Sequence, residues 1–366
     1  MGGLLDYLTQ RFSASGGRLT FEEFMALSLF DPEHGYYSAH IDAIGGERGD
    51  FSTSPSVSRA FGVAVAAWYR DTLSAHGSGR PRDSVEVGGG SGALSQAFLT
   101  ELSWSIRLRQ QHWMVESSPV LRQQQEEALP RFPRARWLTE FGNDFTPSQP
   151  VILFSNELVD AFPVIRLQWN REGDGWDEIH VDFDPATGLS ESFVPLTTTR
   201  PSLPLDRFAA LRHFARHPPV DGQRIELHAS YRDWLKQTLR HLPIGSDLLT
   251  IDYGSENTGE LYDKRPGGTV RAYHKRQRLT GPAVYRLFGR QDLTADVHFT
   301  DLREWGESLG LETIRLESQA TFLGRYLQEK PSLAGQRETQ HLLSEDGAGT
   351  AFRVLQQRKV RHETDV

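Results

Sequence analysis

Short apolar runs separated by helical stretches dominate the middle of the chain. SVEVG (84–88), HWMVE (112–116), ARWLT (135–139), VILFSNE (151–157) and DLLTIDYG (247–254) read as strands buried on both faces of a sheet. Strands alternating with helices indicate βαβ units and a doubly wound, mostly parallel α/β sheet. About 90 residues lie between the fourth run and the fifth, too many for a loop. Within them VIRLQWN, GWDEIHVDFD and LSESFVPL alternate and are punctuated by turn residues, so a small inserted antiparallel sheet is expected, followed by helices over 206–217 and 229–242. Beyond 254 comes the Gly-rich, basic stretch GTVRAYHKRQRL, in which Lys275, Arg276 and Arg278 read as a solvated loop. A helix ending at Gly310 leads to the strand LETIRLE, and TAFRVLQQ is the last strand. These two C-terminal strands suit a seven-stranded sheet whose final pair is antiparallel.

The first 80 residues read as mostly helical. Thr20 and Glu23 form a T-x-x-E capping box ahead of FEEFMALSLF, and Asp31-Pro32 stops that helix. After the loop HIDAIGGERGDFSTSP, Ser54-Pro55 is a second start signal, and Val57, Ala60, Phe61, Ala64 and Trp68 follow at helical spacing. The expected organisation is an N-terminal helical cap segment (1–82), the first half of an α/β core (83–163), an inserted α+β subdomain (164–246) and the second half of the core (247–366).

Composition narrows the class. With 38% hydrophobic and 24% charged residues in 366, the chain can bury a sizeable core, which excludes global disorder. Forty basic against 48 acidic residues leave a net charge of -8, which argues against nucleic acid as a non-specific partner while leaving room for a local basic patch. The chain has no cysteine, so disulfides, thiolate catalysis and cysteine metal sites are excluded. No apolar run approaches the roughly 20 residues of a membrane span. MGGLLDYLTQ is not a signal peptide, and Asp6 stands where a myristoylation signal has Ser or Thr. A soluble cytoplasmic protein is the expectation.

Three segments offer chemistry. Glu86-Val87-Gly88-Gly89-Gly90-Ser91-Gly92 ends the first sheet strand, where glycines let the backbone turn sharply and approach a ligand. The run fits two templates: Gly88, Gly90 and Ala93 match the G-x-G-x-x-G/A dinucleotide pattern, and Glu86, Gly88, Gly90 and Gly92 match the E-x-G-x-G-x-G motif of S-adenosylmethionine methyltransferases. Glu116, at the end of the next strand, is placed to accept both ribose hydroxyls of either cofactor. Two features favour the methyl donor over NAD: Glu86 is available to pair with the donor's amino group, and the C-terminal strand pair suits a methyltransferase sheet. The third segment, Asn156-Glu157-Leu158-Val159-Asp160-Ala161-Phe162-Pro163, follows the fourth strand and faces the cleft that doubly wound sheets use for ligands. A helix cap would use Asn156 in the same place; the functional reading follows from charge. The donor is a sulfonium cation, and an arginine substrate is another. At about 4 Å and an effective dielectric near 20 they repel by roughly 4 kcal/mol, worth about a thousandfold in rate. Carboxylates at Glu157 and Asp160 would neutralise the guanidinium and orient it. Signatures of P-loops, zinc proteases, serine hydrolases and EF-hands are missing from the sequence, and the thirteen histidines are scattered, so no metal ligands are assigned.

GYY (35–37), GDFSTSP (49–55), EVGGGSGAL (86–94), NELVDAFPV (156–164), GWDEIHVDF, IDYG (251–254), GTVRAYHKR (268–276) and DLTADVHF (292–299) occur in this order. Together they resemble the MidA family, formerly a domain of unknown function, which includes a mitochondrial complex I assembly factor and bacterial relatives. The likeness covers about residues 20 to 357. It implies a class I methyltransferase fold that uses S-adenosyl-L-methionine and releases S-adenosyl-L-homocysteine. It further implies protein arginine N-methylation on a respiratory-complex-type subunit. By the same resemblance Gly88, Gly90 and Gly92 bind the donor, and Glu157 and Asp160, with Asn156 beside them, form the substrate side. Asp50, Phe51, Thr53, Ser54 and Pro55 form a wall near the donor. Three consecutive glycines depart from the family's usual motif, and TEFGND leaves Glu140 and Asp144 open as an adenine-side residue. The competing readings are a small-molecule methyltransferase, an assembly chaperone with a vestigial donor site, and an NAD dehydrogenase.

Overall fold

The computed structural model describes residues 3–41, 59–77, 80–328, 330–344 and 348–361. They form two compact units. One gathers Asp42–Leu158, Asp233–Gly254 and Leu302–Val366; the other gathers Met1–Ile41, Val159–Arg232 and Ser255–Asp301.

The first unit is built on seven strands: β1 (Ser84–Val87), β2 (His112–Val115), β3 (Ala135–Leu138), β4 (Ile152–Asn156), β5 (Asp247–Ser255), β6 (Leu311–Ser318) and β7 (Phe352–Lys359). Their spatial order is β6-β7-β5-β4-β1-β2-β3. β1 to β5 run parallel, and β7 inserts antiparallel between β5 and β6, as the last two apolar runs led us to expect. Apolar runs with no alternation are explained by burial on both faces: every residue of β1 and β4 is buried. One core cluster joins Phe61 and Ala64 of the helix Arg59–Ala75, Phe98 of the helix Ala93–Glu101, Phe154 of β4, Ile251 of β5, Val354 of β7 and Phe322 of the helix Gln319–Leu327. The Ser54-Pro55 start signal lies outside the described residues.

The second unit holds the inserted antiparallel sheet. Gly175–Asp184 is its central strand, paired with Ile165–Asn170, with Gly188–Pro195 and, unforeseen from the sequence, with Arg18–Thr20. The T-x-x-E box is present: Thr20 Oγ1 accepts from the Glu23 amide at 3.1 Å, and the Glu23 carboxylate accepts from the Thr20 amide at 2.8 Å. Arg166 is buried at the heart of this unit, its charge met by Glu191 at 3.2 Å and Glu226 at 3.3 Å. The basic stretch expected as a loop is a hairpin instead. Arg271–His274 pairs with Gln277–Leu279 across Lys275 and Arg276, whose φ values of 47° and 65° make the tight left-handed turn usually supplied by Asn-Gly. Arg278 lies within a strand.

Candidate functional site

Register builds the site. Val87 of β1 lies opposite Val115 of β2 and Ser155 of β4, and Asn156 lies opposite Ile251 of β5. Gly88, Glu116, Asn156 and Glu157 therefore leave the sheet together at its carboxyl edge. Three bonds extend the ladder there: Gly88 N to Val115 O at 3.0 Å, Glu116 N to Leu138 O at 2.9 Å, and Glu157 N to Ile251 O at 2.9 Å.

The glycine turn requires its residues. Gly88, Gly90 and Gly92 have φ of +64°, +53° and +81°, the left-handed region that disfavours side chains. Gly92 is also the N-cap of the helix Ala93–Glu101. The turn is clamped from the next βα unit by Gln125, fully buried in the helix Pro119–Ala128. Its Nε2 donates to Gly90 O at 2.9 Å and to Glu116 Oε2 at 3.1 Å, and its Oε1 accepts from Trp137 Nε1 at 3.1 Å. Glu116 Oε1 accepts from the Ser118 amide at 2.9 Å. A carboxylate offers about four lone-pair sites, so the buried Glu116 keeps acceptor capacity for a vicinal ribose diol. Gln125→Leu is expected to weaken donor binding about tenfold, because it leaves both the Gly90 carbonyl and Glu116 short of a donor, a loss of about 1.4 kcal/mol. Calorimetric titration with S-adenosyl-L-homocysteine checks this, and an unchanged affinity would remove the clamp from the account.

Glu86 lies beneath the turn rather than at its rim. It is 2% exposed, accepts from Ser95 Oγ, and continues through Ser95 to His112 Nε2 at 2.6 Å, whose Nδ1 meets Ser84 Oγ at 2.8 Å. Burial pushes the Glu86 carboxyl up to about 8 and Glu116 up to about 7, while burial pushes His112 down to about 3. Both acids thus bind protons in the folded chain that they would release when unfolded, where the ordinary value is 4.5. Their contribution to stability is complete below that value and is lost as pH rises toward 8. A cationic donor favours the charged carboxylates. Donor affinity is therefore expected to rise between about pH 6 and pH 8, and Glu116→Gln to flatten the part centred near 7. Titrations at three pH values measure it; a pH-independent affinity would rule out coupling to these acids.

The residues expected on the substrate side follow along the chain. Asn156 ends β4 and is buried; its Nδ2 donates to Glu157 Oε1 at 3.1 Å, and its Oδ1 has no hydrogen-bond partner among the described residues. Glu157 has φ +50°, an unusual conformation for a residue with a side chain. Asp252 of β5 holds the next step, its Oδ2 accepting from the Leu158 amide at 3.2 Å. Asp160 lies in the 3₁₀ turn Val159–Ala161, 5% exposed, with its carbonyl accepting from Ala295 N at 3.0 Å. Glu140 and Asp144 are both exposed. Asp50, Phe51, Thr53, Ser54 and Pro55 lie outside the described residues. The sequence reading missed Gln125 and Asp252. Gln125 sits at the i+4 position from buried Leu121, a polar residue where the helix presents its apolar face, and Asp252 interrupts an apolar strand. Either irregularity was a usable signal.

A family model described as "Putative S-adenosyl-L-methionine-dependent methyltransferase" matches residues 64–316. The chain belongs to this family. Among relatives of this methyltransferase, it is 28% identical to protein arginine methyltransferase NDUFAF7, mitochondrial, of Rattus norvegicus, over 84% of this chain and 71% of that protein. It is 30% identical to the Drosophila melanogaster homolog over 81% and 68%. Its fold matches a Burkholderia thailandensis protein crystallised with S-adenosyl-homocysteine, with a TM-score of 0.80 and 27% identity, covering 97% of this chain and 91% of that one. The methyltransferase uses S-adenosyl-L-methionine, and the left-handed turn and Glu116 suit that group. No helix among the described residues is long and apolar enough to cross a membrane.

Proposed function

We propose that this methyltransferase transfers a methyl group to a guanidinium nitrogen of an arginine in a protein, with a respiratory-complex-type subunit as the substrate class. The names of its rat and fly relatives support the activity. The observation that carries the reading is Glu157. It is a carboxylate directly beyond a parallel strand, with a left-handed backbone at φ +50° and Asn156 bonded to its Oε1. Backbone strain of this kind persists where the surroundings impose it, and it concentrates at functional sites.

In this reading Gly88, Gly90, Gly92, Glu116 and Glu86 hold and balance the donor. Bound S-adenosyl-L-methionine supplies a methyl group made electrophilic by the sulfonium. Glu157 and Asp160 accept N–H bonds from the guanidinium, offset its charge and direct one nitrogen at that methyl group. Asn156 fixes the Glu157 carboxylate. The new C–N bond forms as the S–C bond breaks, and the surplus proton leaves the methylated nitrogen late, so a strong general base is not required.

The test is incubation with isotope-labelled donor, a panel of arginine peptides and their lysine counterparts, and free guanidino compounds, followed by hydrolysis and mass spectrometry. Labelled methylarginine in the peptides supports the proposal. Label confined to free compounds replaces it with the small-molecule reading. Donor binding without transfer to any acceptor favours a scaffold role.

A further inference from the structure

The amino end of the sheet, away from the glycine turn, carries a recess. A cleft of about 300 Å³ opens between the end of the helix Ala93–Glu101, the short helix Trp104–Arg107 and the segment leading into β3. Leu99, Phe132 and Ala135 supply apolar wall, and Trp104 and Leu108 stand at its lip, 69% and 59% exposed. Large apolar side chains left this open beside a recess mark contact sites more often than scattered surface residues do.

Charge gives the recess its character. Two of the stretches that form it, residues 102–115 and 129–138, contain Arg107, Arg109, Arg131, Arg134 and Arg136 and no Asp or Glu, in a chain whose net charge is -8; Glu101, which ends the adjoining helix, is paired with Arg59 at 2.5 Å and Lys330 at 2.8 Å. Among the described residues, none of the five is in a salt bridge with a carboxylate; Arg109 and Arg131 are exposed, and the other three are held by a ring or by backbone carbonyls. The Arg107 guanidinium lies 5.9 Å from the centre of the Phe132 ring. Arg134 Nε donates to Gln110 O at 2.8 Å, and Arg136 Nη1 to the carbonyls of Pro133 and Ala135 at 3.0 and 2.7 Å. Rings and carbonyls orient these cations without cancelling them, so the cleft keeps a local positive field against an acidic background.

We propose that this cleft docks an acidic segment of a partner protein, which inserts one bulky apolar side chain and pairs its flanking carboxylates with Arg107 and Arg131. The concave apolar wall fits a single inserted side chain, whereas a bilayer takes up a protruding apolar face. A nucleic acid strand would be served by several stacking rings along a basic track, and here one exposed indole flanks one recess. Guanidinium forks suit carboxylate recognition at such a rim. The site is separate from the methyl-transfer chemistry, and nothing in it depends on the arginine reading.

The test uses the full chain and fluorescein-labelled heptapeptides of Glu and Asp around a central Leu, Phe, Trp or Ser, read by anisotropy. Expected are saturable binding of at least one apolar-centred peptide, at least tenfold weaker binding of the Ser-centred one, and at least fivefold weakening from about 50 to 300 mM salt. Arg107→Ser with Arg131→Ser should weaken binding at least tenfold while leaving S-adenosyl-L-homocysteine affinity unchanged, which certifies the fold. The single Arg131→Ser variant, at an exposed position, provides the same comparison if the double variant misfolds. Absence of saturable binding to millimolar peptide, indifference to the central residue, or equal affinity in the variants would overturn the proposal. So would tighter, arginine-dependent binding of a labelled single-stranded RNA or of phosphatidylglycerol vesicles.

Discussion

Gly90→Val is expected to raise the dissociation constant for S-adenosyl-L-homocysteine at least a hundredfold while leaving the protein folded. Gly90 has φ +53°, and a β-branched residue in that region costs more than the 1–2 kcal/mol typical of an ordinary side chain there. The turn can relieve this only by rotating its peptide groups. That breaks the bond from Gln125 Nε2 to Gly90 O and moves Gln125 away from Glu116. One substitution therefore disturbs both the turn and the acid beside it. The hydrophobic cluster around Phe98, Phe154 and Ile251 does not include the turn, so thermal unfolding should stay cooperative with a modest fall in midpoint. Calorimetry and a melting curve on one preparation separate the two effects. An unaltered affinity would mean that the donor does not use this turn.

Glu157→Gln has the second large expected effect, and its signature is the opposite: donor affinity kept, turnover reduced by two to three orders of magnitude. The amide preserves size and the contact with Asn156 but removes the negative charge. Two cations about 4 Å apart at an effective dielectric near 20 repel by roughly 4 kcal/mol, and losing one of two compensating carboxylates forfeits a large share of the thousandfold that this represents. Single-turnover rates on a methyl-accepting peptide, beside a donor titration, measure it. Full turnover in the variant would remove Glu157 from the substrate side. Loss of donor binding would instead assign it to the donor.

How much of this could be read from the chain depended on how local the cause was. β1, β4 and β5 were legible because burial on both faces leaves short, mostly apolar runs without alternation, and the turn after β1 because glycine is the residue that favours its left-handed backbone. The Thr20–Glu23 box was legible because its partners are three residues apart. The strand Arg18–Thr20 was not: three residues carry no period, and their pairing with His180–Asp182 is a long-range event. The hairpin across Lys275 and Arg276 was misread as a loop because two charged residues occupy the left-handed positions normally marked by Asn or Gly. Residues 255–301 group with the N-terminal segment and the insertion, a partition that linear order does not reveal. At the site, Glu116 and Glu157 could be singled out because each directly follows an apolar strand, whereas Asp252, inside one, was passed over. Gln125 could not be given its role, since that consists of bonds to Gly90, Glu116 and Trp137, three separate segments.

The left-handed turn also bears on how this family can change over time. A methyl group at position 88 would lie 2.7 Å from Leu158 Cδ1, so the leucine next to Glu157 occupies space that the glycine vacates. The glycine turn and the segment after β4 are therefore not free to drift independently. Across aligned sequences, positions 88 and 158 should covary, with a branched aliphatic at 158 retained only where 88 is glycine. Grafting either segment alone onto a distant methyltransferase should carry a packing fault that exchanging both together repairs.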